Sequence, residues 1–174
     1  MLKRHSRRAR VAATLVGAVA VAGASTSLAV AEITLSDDKR GDALCDEPPC
    51  PDLKSAIGDH APLDDTTQFH IITQHNPIQA GRTPGIAIDA RGSSAPDFYV
   101  AKKRRRTGVY DAKTGERVGP ADLRSASATG MSWSFRPSAI GNPTSYRWQV
   151  QIVDRGGSRI DSAPNKGYVT QRLG

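Results

Sequence analysis

Hydrophobic and polar residues alternate along two segments in the second half of the chain. In the segment 146–152, four large apolar residues alternate with three polar ones, and in the segment 131–135 Met131, Trp133 and Phe135 alternate with two serines. A period of two is typical of a β-strand with one buried face and one solvated face. Both segments are therefore predicted strands whose apolar residues belong to the core.

Shorter β-favouring runs occur at intervals through the rest of the chain. They are 69–73, 85–90, 98–101, 108–111, 117–119 and 168–169. The runs 108–111 and 117–119 flank Gly115, which suits a tight turn, so they predict a hairpin. Helix signals are weak, although 53–57 could form one helical turn. This pattern predicts an all-β fold, a single antiparallel β-sandwich of jelly-roll or immunoglobulin-like topology, with an open barrel as the alternative.

The first 31 residues have the pattern of a secretory signal peptide. Five basic residues lie within positions 3–10, an apolar run follows at 11–22, and the segment ends in Ala29-Val30-Ala31. This order predicts cleavage after Ala31 and secretion of residues 32–174. The remaining length suits one domain, and no later apolar run approaches the roughly 20 residues that a membrane span needs. We therefore expect a soluble extracellular monomer.

Removal of the leader changes the charge of the protein. The whole chain has 24 basic and 17 acidic residues, but five of the basic ones lie in the leader, which leaves residues 32–174 at about +2. Nucleic-acid binding is therefore not expected. Within the remainder, the segment 32–65 is acidic and is predicted to be loop-rich, whereas the segment 66–174 is basic and holds the predicted sandwich body. We expect the two segments to attract each other.

The acidic segment contains both cysteines of the chain, Cys45 and Cys50. In an exported protein this pair predicts a disulfide, and closing so short a ring adds about 2 kcal/mol on the chain-entropy account. A zinc site would need further ligands, and a redox pair would have two intervening residues instead of four. The disulfide is expected to shape a loop.

The same segment offers one candidate cation site. Asp37, Asp38, Asp42 and Asp46 supply clustered carboxylates of the kind that calcium prefers. The residue order of an EF-hand is absent, however. We therefore expect a protein without a cofactor, and calcium binding by these four aspartates is the alternative.

The most polarised run of residues 32–174 is Lys102, Lys103, Arg104, Arg105 and Arg106. Like charges repel one another, so this run is expected in a solvated loop that caps a hairpin. Its functional interpretation is a patch for an anionic polymer. Aromatic residues are not interleaved with the bases, which argues against a platform for single-stranded nucleic acid.

Several short motifs occur in one order between residues 33 and 165. They are Asp38 with Gly41-Asp42, Asp52-Leu53, Ile86-Ala87-Ile88-Asp89, Asp97-Phe98-Tyr99-Val100, Trp133-Ser134-Phe135, Ser138-Ala139-Ile140-Gly141, Tyr146 to Val150, and Asp161-Ser162-Ala163-Pro164. In this order the chain resembles the group of DOMON-like domains and family 9 carbohydrate-binding modules. The resemblance implies a secreted binding module. Ala90-Arg91 stands where related modules often have a second acid, and the haem ligands of some DOMON domains have no counterpart here.

Modules of this group stack sugar rings on exposed aromatic side chains. The candidates here are Tyr99, Tyr110, Trp133 and Trp148, with Tyr168 a weaker one. Because Trp133 and Trp148 are in phase with the apolar residues of their strands, core packing is favoured for both.

Motifs for catalysis are absent from the sequence. His60, His70 and His75 are not accompanied by a Gly-x-Ser-x-Gly elbow, a His-Glu-x-x-His pair or a phosphate-binding glycine loop. We therefore expect a non-enzymatic secreted module that binds a glycan or a cell-wall polymer. The alternatives are an extracellular protein-interaction module or inhibitor and, third, a small secreted hydrolase.

Overall fold

The computed structural model describes residues 32–38, 43, 50–73, 81–93, 95–127 and 130–173. These residues form two antiparallel sheets that pack together, so the predicted all-β sandwich is confirmed. The predicted signal peptide and five residues named above lie outside the described residues, namely Gly41, Asp42, Cys45, Asp46 and His75. Within the described ranges, no helix has the length and apolarity to cross a membrane.

Sheet A contains five strands. They are β1 (Glu32–Asp37), β2 (Leu53–Ala61), β3 (Thr66–Thr73), β8 (Asp122–Ala126) and β9 (Gly130–Phe135). Their order across the sheet is β1-β2-β3-β9-β8, so β1 and β8 form its edges.

Sheet B contains the remaining seven strands of the described chain. They are β4 (Thr83–Asp89), β5 (Phe98–Lys103), β6 (Arg106–Asp111), β7 (Arg117–Pro120), β10 (Ser145–Val153), β11 (Arg159–Ala163) and β12 (Val169–Arg172). Their order is β11-β10-β4-β5-β6-β7, and β12 pairs with the first half of β10, on the same side as β11. A 3-10 helix, Pro137–Ile140, connects β9 to the loop before β10.

The structure confirms the strands predicted from strict alternation and corrects one prediction. β9, β10 and the β6–β7 hairpin lie where the sequence predicts them. The helical turn predicted at 53–57 is wrong, because these residues begin strand β2. The buried positions Ala56, Gly58 and His60 of this strand are small or polar, so hydropathy does not reveal their alternation. The sequence likewise does not predict strands β1, β8 and β11.

Aromatic side chains fill the core between the sheets. Trp133 and Trp148 are 1% and 0% exposed. The ring centroid of Phe69 lies 5.2 Å from that of Trp148, edge to face, and 6.1 Å from that of Phe135, nearly parallel. Gly58 allows this packing, because a Cβ atom there would lie 3.0 Å from the Trp148 indole. The predicted core positions of both tryptophans are confirmed.

Buried hydrogen bonds join β1 of the acidic segment to sheet B. Gln171 of β12 is fully buried, and its Nε2 donates to the carbonyl oxygen of Glu32 over 2.9 Å. Thr34 Oγ1 donates to Gln171 Oε1 over 2.7 Å and accepts from Trp148 Nε1 over 3.1 Å. A side-chain network therefore fixes β1 against the body of the sandwich.

Candidate functional site

The outer face of sheet B contains a shallow groove with a volume of about 510 Å³. Strand register places small residues beneath it, since Gly85 of β4 pairs with Gln151 of β10 on one side and with Ala101 of β5 on the other. Alternate residues of a strand share a face, so Thr83 and Val153 lie on this face in the next row. The groove forms because these floor residues are short while their neighbours are long.

Tyr99 lies at one end of the groove. It pairs with Ala87 of β4 and with Tyr110 of β6, and its side chain is partly exposed. Burial raises the pKa of the Tyr99 phenol above its usual value, so the phenol stays neutral at physiological pH. Tyr168 lies on the same face, since its ring centroid is 5.5 Å from the guanidinium carbon of Arg147, an outward residue of β10. Burial also raises the pKa of the Tyr168 phenol. Two partly exposed aromatic rings therefore lie on this face.

Basic residues form the other boundary of the groove. The run 102–106 spans the tight connection between β5 and β6 and is exposed throughout, as predicted for a solvated hairpin. Lys102, Lys103 and Arg104 line the groove, whereas Arg105 and Arg106 do not. Arg159 of β11 lines it from the opposite side. Sequence reasoning missed Arg159, because β11 itself carries no clear strand signal.

Tyr110 packs beneath the side chain of Lys103 and does not offer a stacking surface. It is 5% exposed, its hydroxyl donates to the carbonyl oxygen of Arg106 over 2.9 Å, and Lys103 Nζ lies 4.5 Å from its ring centroid. Its candidacy as a sugar platform is therefore corrected. The same correction applies to Trp133 and Trp148, which a ligand could reach only if the core opened.

An ion pair between a buried aspartate and a partly exposed arginine stabilises the strand ends beyond Tyr99. The side chain of Asp89 is inaccessible, and its Oδ2 accepts from Arg147 Nε over 2.8 Å. Its Oδ1 accepts from the backbone N–H groups of Arg91 and Ser93, over 3.2 and 3.0 Å. The Arg147 guanidinium also lies 5.5 Å from the ring centroid of Tyr168. Asp89 thus fixes the loop after β4 and, through Arg147, the setting of Tyr168.

Polar residues of β10 are held in place beside the groove. Gln149 Nε2 donates to the carbonyl oxygen of Pro164 over 2.7 Å, and Gln151 Nε2 donates to Gln149 Oε1 over 2.8 Å. This chain of bonds fixes the orientation of the Gln151 amide, which lines the groove. A pre-oriented amide is suited to hydrogen bonding with a polar ligand.

Three carboxylates meet at one end of the sandwich, between β11 and the start of β2. One oxygen from each of Asp38, Asp52 and Asp161 lies within 4.8 Å of the others. Asp161 also accepts from the backbone N–H of Leu53 over 2.7 Å. Such oxygens are ligands that calcium prefers.

Only part of the predicted calcium set lies in this cluster. Asp38 belongs to it, Asp37 is exposed on β1, and Asp42 and Asp46 lie outside the described residues. Calcium binding stays a prediction. The disulfide between Cys45 and Cys50 also stays a prediction, because Cys45 is outside the described residues.

The fold and the groove together define an all-β sandwich with a basic groove, partly lined by tyrosine, on one outer face. Comparison with known proteins finds no matching family model and no matching curated protein. The resemblance to DOMON-like domains and family 9 carbohydrate-binding modules therefore stays a prediction.

Proposed function

We propose that this protein is a secreted, non-enzymatic binding module that holds a glycan or cell-wall polymer in the groove of sheet B. The observation that carries the proposal is the combination of Tyr99, the oriented amide of Gln151 and exposed cationic side chains around a floor of small residues. The predicted signal peptide supports an extracellular location, where such polymers occur.

The chemistry of the groove suits a sugar. A sugar ring has an apolar face of C–H groups, which packs on an aromatic ring, and a rim of hydroxyl groups, which both donate and accept hydrogen bonds. Tyr99 offers the first kind of contact and Gln151 the second. Because both side chains stand on paired strands, little conformational freedom is lost when a ligand binds.

Substitution of Tyr99 tests the proposal. We expect Tyr99→Ala to weaken binding to the best polysaccharide of a mixed neutral and acidic panel by about tenfold, which corresponds to the loss of one stacking contact. Tyr99→Phe should keep most of the affinity, because it keeps the ring. Affinity electrophoresis measures both effects, with His70→Ala, an exposed ring residue on sheet A, as the matched control.

Two outcomes would contradict the proposal. One is that the wild-type protein is retarded by no polysaccharide of the panel. The other is that Tyr99→Ala and His70→Ala bind equally well.

A second candidate function is an extracellular protein-interaction module. Ile33 and Leu35 of β1 are 69% and 58% exposed and lie on an edge strand. An edge strand offers backbone hydrogen-bonding groups to a partner strand, and apolar side chains beside it add contact area. This function predicts that the double variant Ile33→Lys with Leu35→Lys loses a partner from culture medium while polysaccharide binding is unchanged.

A further inference from the structure

The groove carries an unbalanced positive charge, and we infer from it that the ligand is a linear acidic polysaccharide that runs across the strands of sheet B. This inference rests on the proposed function, since it names the ligand class of the same groove. The groove is lined by Lys102, Lys103, Arg104 and Arg159, and none of its described lining residues is acidic.

Lys102 is in phase with the buried Val100, so the cations on the groove face are Lys103, Arg104 and Arg159. These three do not have carboxylate partners among the described residues. The ion pairs found between described residues are Arg91 with Asp97 and Arg147 with Asp89, and both lie beyond the groove. Like charges that share one face repel each other, and a bound polyanion relieves this repulsion. A neutral glycan would leave these charges without an anionic partner.

The spacing of the charges indicates a polymer and not a single acidic group. Arg159 pairs with Val153, and Val153 pairs with Thr83. Continuing the β4–β5 register from Gly85 and Ala101 by two residues brings Lys103 opposite Thr83. The two basic sides are therefore three strand spacings apart, about 14 Å between backbones. Lys103 Nζ lies over the ring of Tyr110 on β6, so its charge is directed away from Arg159. A chain with repeated charges can meet both sides, whereas one carboxylate between these two cations does not.

The floor between the basic sides favours a chain laid across the strands. Its residues Thr83, Gly85, Ala101 and Val153 are uncharged and short, so they present little obstacle between β5 and β11. Tyr99 then lies beside the path of the chain, where one sugar ring packs against it while neighbouring residues of the polymer meet the cations.

A matched pair of ligands tests the sign of the charge. Polygalacturonate and its methyl ester share one backbone, but esterification removes the carboxylate charge. We expect the wild-type protein to bind the acidic form at least about tenfold more tightly, with an affinity that falls as salt is added. Galacturonate monomer should fail to compete, whereas oligomers long enough to reach both sides of the groove should compete. Alginate and hyaluronate extend the comparison to other acidic backbones.

Charge reversal on each side of the groove tests the geometry. Arg159→Glu and Lys103→Glu should each weaken binding to the acidic polymer by about tenfold or more. Arg136→Glu and Lys54→Glu reverse exposed charges away from the groove and should leave binding unchanged. Thermal unfolding of all four variants checks that the fold is intact.

The outcomes separate this inference from the proposed function. Equal binding of acidic and methylated polymers, with Tyr99→Ala still harmful, overturns the acidic ligand and keeps the glycan site. Failure to bind any acidic or neutral polymer overturns both. Binding of dextran sulfate that matches the binding of the uronic-acid polymers and ignores Tyr99→Ala shows simple ion exchange, which also overturns both.

Discussion

The two outer faces of the sandwich differ in how their short residues are surrounded. On sheet A, Ser132 and Ser134 of β9 point outward yet are 5% and 2% exposed. Arg124 Nε donates to Ser134 Oγ over 2.7 Å, and Ser125 Oγ donates to Ser132 Oγ over 3.3 Å, so side chains of β8 cover them. On sheet B, the short residues Gly85 and Ala101 lie between long neighbours that leave a groove.

The difference shows that an open site depends on the strands beside it. A small residue lies at the bottom of a groove when the long side chains around it lean away, and it is covered when one of them lies across it. The alternation within a single strand is the same in both cases. What differs is the register between strands, which decides the neighbours of each position.

The largest expected difference between the two faces is the loss of stability when an arginine is removed from each. Arg147→Ala leaves the inaccessible carboxylate of Asp89 without its cation, so we expect the free energy of unfolding to fall by about 2–3 kcal/mol. Arg124→Ala on sheet A removes an exposed arginine that bonds a serine hydroxyl and should cost about 0.5 kcal/mol. Urea denaturation measures both, and equal losses would contradict the comparison.

Gln171 tests the contacts that hold the two sheets together beneath these faces. Gln171→Ala removes the buried amide that bonds Glu32 and Thr34 of β1, so we expect a loss of about 2 kcal/mol in the free energy of unfolding. The control Gln68→Ala lies on the outer face of sheet A and should change stability by less than about 0.5 kcal/mol. The network does not couple β1 to sheet B if the two losses are the same.

The sequence predicts the strands whose inward residues are large and apolar. β9 and β10 are of this kind, and their phase also predicts the core positions of Trp133 and Trp148. Strand β2 is not predicted, because its inward residues are small or polar. Gly58, for example, is required by close packing against Trp148. Hydropathy reports burial of large apolar groups and does not report that kind of fit.

The candidate site is predictable only in part for the same reason. Tyr99 and the basic run stand out in the sequence, and Gln151 lies at a polar position of a predicted strand. Arg159 has no local signal, because it joins the groove only through the pairing of β11 with β10. A groove built from four strands requires three registers, and each register depends on contacts between residues distant in the chain.

A substitution in a hairpin turn should have the smallest effect on the free energy of unfolding. One hairpin turn in each sheet contains a residue with a positive φ, so the two turns can be compared directly. In sheet A the β2–β3 turn places Asp65 in the left-handed region at φ 47°, and in sheet B the β5–β6 turn places Arg104 there at φ 57°. Aspartate tolerates this conformation better than arginine, which carries a cost of about 1 kcal/mol that glycine avoids. We therefore expect Arg104→Gly to raise the free energy of unfolding by up to about 1 kcal/mol.

Arg105→Gly is the matched control for that substitution. Its residue does not have a positive φ, so it should give no gain in stability. If Arg104→Gly is stabilising but weakens binding to acidic polysaccharide, the strained arginine is kept for its charge, as strain at binding sites commonly is. An equal loss of stability in Arg104→Gly and Arg105→Gly would mean that the β5–β6 turn is unstrained. This turn would then differ from the β2–β3 turn in charge alone.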